Sequence, residues 1–148
     1  MAFISITMWR VMSKRHFTLY ELIKSDTAAK LGIINVPNFA QVSMLAMMVD
    51  DCLEQVRALA GRPVYITNGY RCAALNKAVG GVASSYHQIR DGHCAVDISL
   101  GSPALNLPFY NLLKGSDLHV NECFLGKDAA YIHISWHPWI RKREVKIM

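Results

Sequence analysis

Three short segments of the chain carry side chains that suit a divalent metal ion, and they centre on His87, Asp97 and His133. Catalytic zinc takes three protein ligands and keeps a fourth position open for water, and neutral imidazole and carboxylate both suit it. Two imidazoles and one carboxylate leave the site with a net positive charge, which can polarise water and a carbonyl group. The residue types therefore indicate a candidate catalytic metal centre.

The predicted secondary structure indicates how these three residues could meet. Asp97 and His133 fall in predicted strands, and neighbouring antiparallel strands can place such side chains on one face. His87 lies in a loop rich in Ser and Gly, which can reach over to complete the set. Alternatively, each residue is structural, because a lone His in a strand is commonly hydrogen-bonded and a lone Asp is commonly a turn or cap residue. The residues alone leave both interpretations open.

Helix-start signals dominate the first half of the chain. Capping boxes are formed by Thr18 with Glu21 and by Asn38 with Gln41. The first predicts a short helix, followed by another that ends at Gly32, and the second predicts a long helix. The long helix is expected to reach about residue 59 and to bury an apolar stripe at helical spacing. That stripe comprises Leu45, Val49, Cys52, Val56 and Leu59, widened by Met44, Met47 and Met48.

Strand signals dominate the second half. Two further helices are expected at 73–79 and from Ser102 to Leu113, where Pro108 would shorten or kink the second. The predicted strands span 64–67, 94–100, 120–125, 130–136 and 144–147. Helices followed mainly by strands predict an α+β fold, with N-terminal helices packed on a small, mainly antiparallel sheet that carries the metal site. Residues 1–16 are expected to form an N-terminal arm, and residues 17–148 a single catalytic domain.

Composition limits the class of protein. A chain of 148 residues, 52% hydrophobic and 18% charged, fits one globular domain. The formal net charge of +5 favours anionic partners, but no dense Lys/Arg block with interleaved aromatic residues predicts nucleic-acid binding. No apolar run is long enough to predict a membrane span. The four cysteines form no C-x-x-C pair and are expected to pack as small core residues.

The order of several motifs resembles the zinc D-alanyl-D-alanine carboxypeptidase family, which includes phage endolysin L-alanyl-D-glutamate peptidases. That family carries a Ser-x-His-x-x-Gly-x-Ala-x-Asp pattern and a later apolar-x-His-x-Ser strand. The matching residues are Ser85, His87, Gly92, Ala95, Asp97, His133 and Ser135. Further similarity lies at 17–28, in the Gly-Tyr-Arg region at 67–81 and at 143–145, so the resemblance covers the chain from Phe17 onwards.

The resemblance implies a peptidoglycan metallopeptidase with a hedgehog-like fold. His87, Asp97 and His133 would hold Zn²⁺, and the substrate would be a peptidoglycan stem peptide. The implied role is that of a phage-type lysin or a virion-associated wall hydrolase, with other phage tail proteins as potential partners. The first residues lack the order of charge and small residues of a secretory signal. We therefore expect synthesis in the host bacterial cytoplasm and action at the cell wall, which the protein would reach through an export route that other proteins provide or as part of a virion.

The spacing of the first two ligands departs from the family pattern. The family has its Asp seven positions after its first His, whereas His87 and Asp97 are ten positions apart. The extra residues bring in His93 as a rival to His87. We favour His87 because Ser85 and the preceding loop match the family. If His93 is not a ligand, we expect it to be a solvent-exposed loop residue.

The general base is the other departure. Hydrolysis needs a carboxylate that takes a proton from the attacking water and passes it to the leaving amine. Well-studied relatives carry an acid three residues before the last His, where this chain has Ala130. Glu122 and Asp128 are the alternatives, and each could instead be an ordinary surface acid. Without a base, the chain would be a non-catalytic structural or wall-binding component of a phage tail.

Arg71 is the remaining candidate site residue. It closes the Gly-Tyr-Arg segment, and in relatives this Arg lies beside the site, where its guanidinium can contact a substrate carboxylate or carbonyl. A structural Arg that pairs with a helix end is the alternative.

Overall fold

The computed structural model describes residues 15–143, beginning with two short helices. Helix α1 (Leu19–Ile23) starts at the predicted capping box, and α2 (Asp26–Leu31) ends at Gly32, which adopts a left-handed conformation. Most of the proposed arm at 1–16 and the predicted strand at 144–147 lie outside the described residues. No helix within 15–143 is both long enough and apolar enough to cross a bilayer.

The predicted long helix is present, but its middle is a π-helical turn. Helix α3 (Phe39–Met48) leads into the π turn (Val49–Leu53), and α4 (Glu54–Ala60) follows directly. A π turn inserts one extra residue and rotates the buried face, so Cys52 and Leu53 are both buried. The predicted core stripe is therefore correct at most positions. Met47 is an exception, because it lies on the exposed side of the helix.

Within the described residues, four strands form one antiparallel sheet in the order β1-β2-β4-β3. They are β1 (Tyr65–Asn68), β2 (Cys94–Ser99), β3 (Glu122–Leu125) and β4 (Ile132–Trp136). Every residue of β2 and β4 is buried, although one face of these central strands is apolar and the other carries Asp97, Ser99, His133 and Ser135. The expected α+β architecture with helices packed on an antiparallel sheet is confirmed.

Two helices complete the fold after β1. Helix α5 (Ala73–Ala78) follows β1, and α6 (Pro103–Lys114) follows β2. Pro108 does not end α6, which continues for six further residues, so the predicted shortening is wrong. The four cysteines are free, with Cys52 and Cys94 buried and the other two half-buried.

A buried asparagine ties the first helices to the loop that follows β1. The Asn35 amide nitrogen donates to the carbonyl oxygens of Ile23 and Tyr70, each at 2.9 Å, and its carbonyl oxygen accepts from the Cys72 amide at 2.7 Å. These three backbone groups would otherwise need other partners in a poorly hydrated region. Asn35 therefore fixes the segment that contains Gly69 and Arg71.

We expect Asn35→Ala to lower the free energy of unfolding by about 2–4 kcal/mol, because three backbone groups lose their partner at once. Urea denaturation measures this change. Asn111→Ala, a matched change at an exposed position of α6, should stay within about 0.5 kcal/mol of the unchanged protein. Equal effects of the two substitutions would contradict the role given to Asn35.

Candidate metal centre

The sheet register places two of the three predicted ligands directly opposite each other. Asp97 on β2 pairs with His133 on β4, and Asp97 Oδ1 lies 2.8 Å from His133 Nδ1. The predicted convergence of these strands arises because antiparallel partners share a face.

His87 completes the group from outside the sheet. It lies in a 3₁₀ turn (Tyr86–Gln88), and its Nε2 is 3.4 Å from Asp97 Oδ1. One potential ligand atom from each of His87, Asp97 and His133 lies within 4.8 Å of the other two, and all three residues are buried. Three atoms at this separation can share one divalent ion.

The orientation of the His87 ring is set by a backbone carbonyl. Its Nδ1 lies 2.8 Å from the carbonyl oxygen of Gly69, which can only accept, so Nδ1 carries a proton and the neutral ring, the form that binds a metal, presents its Nε2 lone pair. Position 69 tolerates only glycine, because a Cβ there would lie 2.0 Å from the Leu22 carbonyl oxygen. The Gly of the Gly-Tyr-Arg segment is thus needed for a ligand's orientation.

The protonation of Asp97 and His133 reflects their contact. Burial raises the pKa of Asp97, but the hydrogen bonds and positive charge of His133 and His87 outweigh it and hold that pKa well below its usual range. Burial lowers the pKa of His133, and its contacts with Asp97 and Glu122 more than reverse this, so the net shift is upward. The carboxylate is therefore ionised and available as a ligand.

A cavity of about 400 Å³ opens beside the three ligands. Glu122 lines it, whereas Asp128 lies exposed in the 3₁₀ turn (Lys127–Ala129) and is not part of its wall. Of the two acids predicted for proton transfer, the structure brings only Glu122 to the ligands. The remaining wall includes Arg71, Ser84, Ser85, Tyr86, Asp91, Phe124 and Tyr131.

His93 lies apart from the ligand group. Its ring stacks on Tyr86 at 4.1 Å and meets the edge of His137 at 4.8 Å. The expectation that a non-ligating His93 would be solvent-exposed is wrong, since 6% of its surface is accessible. The reason is that the segment folds back onto the sheet and buries the ring between two aromatic neighbours.

A family profile described as Peptidase M15 matches residues 15–135. The chain belongs to this family. A search of curated proteins finds no match. The match confirms the expected relationship to the zinc D-alanyl-D-alanine carboxypeptidases and supports a metallopeptidase, because the M15 family is zinc-dependent.

The residues present fit the metal that the M15 family uses. Two imidazoles and one carboxylate are a catalytic zinc set, and the Gly69 carbonyl leaves the His87 lone pair directed at Asp97. His87, Asp97 and His133 would hold the ion, and their role as ligands stays a prediction.

Arg71 lies between two cavities, which the sequence did not predict. It lines the metal cavity and a neighbouring cavity of about 540 Å³. Its guanidinium donates to the side-chain oxygens of Asn76 at 3.1 Å and Asn68 at 3.4 Å. These two contacts hold the guanidinium in place, and Arg71 remains half-buried at the cavity wall.

Asp91 is a cavity residue that the sequence analysis missed. It sits with Gly92 at the centre of a turn closed by reciprocal hydrogen bonds between Arg90 and His93. Both central residues have positive φ, which is the combination of a type I′ turn with its preferred Asp-Gly pair. The Asp-Gly pair just before a strand was the available signal. It predicts the turn but not the cavity.

We expect His87→Ala to abolish stoichiometric zinc binding and His93→Ala to retain one zinc per chain. The reason is that only the first removes a nitrogen that faces Asp97. Metal content after dialysis of each purified variant measures the difference. Zinc loss in His93→Ala alone would reverse the assignment.

Proposed function

We propose that the protein hydrolyses peptide bonds in bacterial peptidoglycan with zinc, as a phage-type lysin or a virion-associated wall hydrolase. The observation that carries this proposal is the convergence of His87, Asp97 and His133 beside an open cavity. Membership of a peptidase family supports the hydrolysis of an amide bond. The net charge of +5 favours contact with an anionic wall polymer.

The chemistry divides between the ion and the chain. When bound, zinc supplies Lewis-acid polarisation of the water and the scissile carbonyl. A carboxylate on the cavity wall takes the proton from the attacking water and returns it to the leaving amine. Glu122 and Asp91 both line the cavity, so the missing acid at Ala130 does not leave the site without a carboxylate.

The substrate we propose is a peptidoglycan stem peptide, with Arg71 as the group that binds it. A guanidinium can hold a carboxylate or a peptide carbonyl through two parallel hydrogen bonds. Arg71 is fixed by Asn68 and Asn76 at the cavity wall, which suits it to orient a peptide. Other phage tail proteins are proposed partners if the chain is carried on a virion.

We expect Arg71→Lys to raise KM for a stem-peptide substrate by about 10-fold or more, since a lysine loses the bidentate contact worth about 1.5–3 kcal/mol. Steady-state kinetics on a synthetic stem peptide measures this. Zinc content should not change, because Arg71 does not belong to the ligand group. An unchanged KM would assign Arg71 to structure alone.

We expect the purified protein to clear a suspension of bacterial cell walls, to stop when zinc is chelated, and to recover when zinc returns. Asp97→Asn should lower the rate at least about 1,000-fold, because the ion loses its anionic ligand. Turbidity measures clearing, and mass spectrometry of the released peptides identifies the bond.

Asp128→Asn is the matched control, because it changes an exposed acid outside the cavity. Its rate should equal that of the unchanged protein. Folded, zinc-loaded protein that clears no wall would instead support the second candidate, a non-catalytic tail component. The absence of an acid at Ala130 is the observation that favours that candidate. Cleavage of free D-Ala-D-Ala without wall clearing would indicate a dipeptidase.

A further inference from the structure

The His133 ring is held between two carboxylates, one at each nitrogen. Nδ1 lies 2.8 Å from Asp97 Oδ1, and Nε2 lies 3.4 Å from Glu122 Oε2. Glu122 is buried, with 3% of its surface accessible. Both contacts therefore form in a poorly hydrated region, where electrostatic interactions are strong.

The geometry distinguishes the two nitrogens of His133. Asp97 Oδ1 is near both His133 Nδ1 and His87 Nε2, so an ion shared by the three residues binds His133 through Nδ1. A metal ligand must present a lone pair, so Nε2 then carries the ring proton. That proton points towards Glu122 Oε2.

Resting on the proposed zinc function, we propose that Glu122 is a positioning residue that accepts the Nε2 proton of His133 and so fixes the tautomer and orientation of this ligand. A carboxylate behind a ligating histidine raises the basicity of the ring and holds its plane. Glu122 thus contributes to metal affinity rather than to proton transfer from water.

The sheet fixes Glu122 in this position. It begins β3 opposite Ser135, two residues along β4 from His133. Phe124, the next residue on the same face, pairs with His133 and stacks on its ring at 4.3 Å with an angle of 16° between the planes. The ring is therefore held on its face by Phe124 and at its outer nitrogen by Glu122.

This assignment leaves the proton transfer to Asp91. Asp91 is exposed and lines the same cavity, on a turn fixed by the Arg90–His93 hydrogen bonds. Asp91 would take the proton from the water as the water oxygen bonds to the carbonyl carbon. The proton would pass to the amine nitrogen as the C–N bond breaks, so the carboxylate is regenerated.

The test measures zinc affinity rather than activity. We expect Glu122→Ala to raise the dissociation constant for Zn²⁺ about 10–100-fold. Glu122→Gln should raise it by less, because the amide oxygen can still accept the Nε2 proton. Competition with a chromophoric chelator, starting from metal-free protein, gives both values. Asp128→Ala removes an exposed acid three residues beyond β3 and should leave the constant unchanged.

The outcomes separate this inference from the proposed function. An unchanged affinity for Zn²⁺ in folded Glu122→Ala would overturn the role given to Glu122, while the proposed zinc-dependent hydrolysis of peptide bonds would stand. Absence of zinc binding by the unaltered protein would overturn the proposed function. If Glu122→Ala does not fold, ¹⁵N spectra of the zinc-loaded unaltered protein decide: His133 should show a protonated Nε2, and a protonated Nδ1 would overturn the inference.

Asp91→Asn separates the roles of the two acids. It should bind zinc with unchanged affinity and lower kcat at least about 100-fold, which is within the usual contribution of general acid–base catalysis. A variant with full kcat would exclude Asp91 from proton transfer.

Discussion

The direct pairing of Asp97 with His133 is the constraint on which the site depends. Side chains alternate between the two faces of a strand, so a shift of one residue would turn His133 away from Asp97. The register of β2 and β4 is held by burial, since all residues of both strands are buried. The apolar core and the metal site are therefore specified by the same register, and a substitution that shifts one shifts the other.

His87 reaches this pair through a chain of local contacts. Asn35 fixes the loop after β1, and within that loop Gly69 approaches the Leu22 carbonyl so closely that no side chain fits. The Gly69 carbonyl then orients the His87 ring. A buried carboxylate with two imidazoles is costly unless its charge is matched. In the group formed by His87, Asp97 and His133, a divalent cation would offset the charge of the buried carboxylate.

Much of the fold was predictable because local chemistry specifies it. Thr18 and Asn38 cap helices through their own hydrogen bonds, and both helix starts are where the capping boxes predict them. The strands carrying Asp97 and His133 were also predictable from their apolar residues. The ligand preference for His87 over His93 came from a resemblance and not from periodicity, because both residues lie in the same irregular segment.

The features that were not predicted depend on contacts distant in the chain. Nothing local distinguishes a π turn at Val49–Leu53 from a regular helix, because the rotation serves packing against other elements. His93 is a polar residue and was expected to be solvent-exposed, yet Tyr86 and His137 pack against its ring from two sides. Asp91 is recognisable as a turn residue, but only the folded segment brings it to the cavity wall.

The Arg90–His93 turn explains why the site tolerates the longer spacing between His87 and Asp97. The Arg90–His93 turn closes on itself through two backbone hydrogen bonds, so the extra residues leave and return at nearly the same point. His137 packs against Gly92, where a Cβ would lie 2.5 Å from its ring nitrogen, and the stacked His93 ring anchors the other side. With the turn closed in this way, His87 Nε2 still lies 3.4 Å from Asp97 Oδ1. The chain lacks an acid at Ala130, and the same insertion brings Asp91 to the cavity wall, where its side chain can serve in place of that acid.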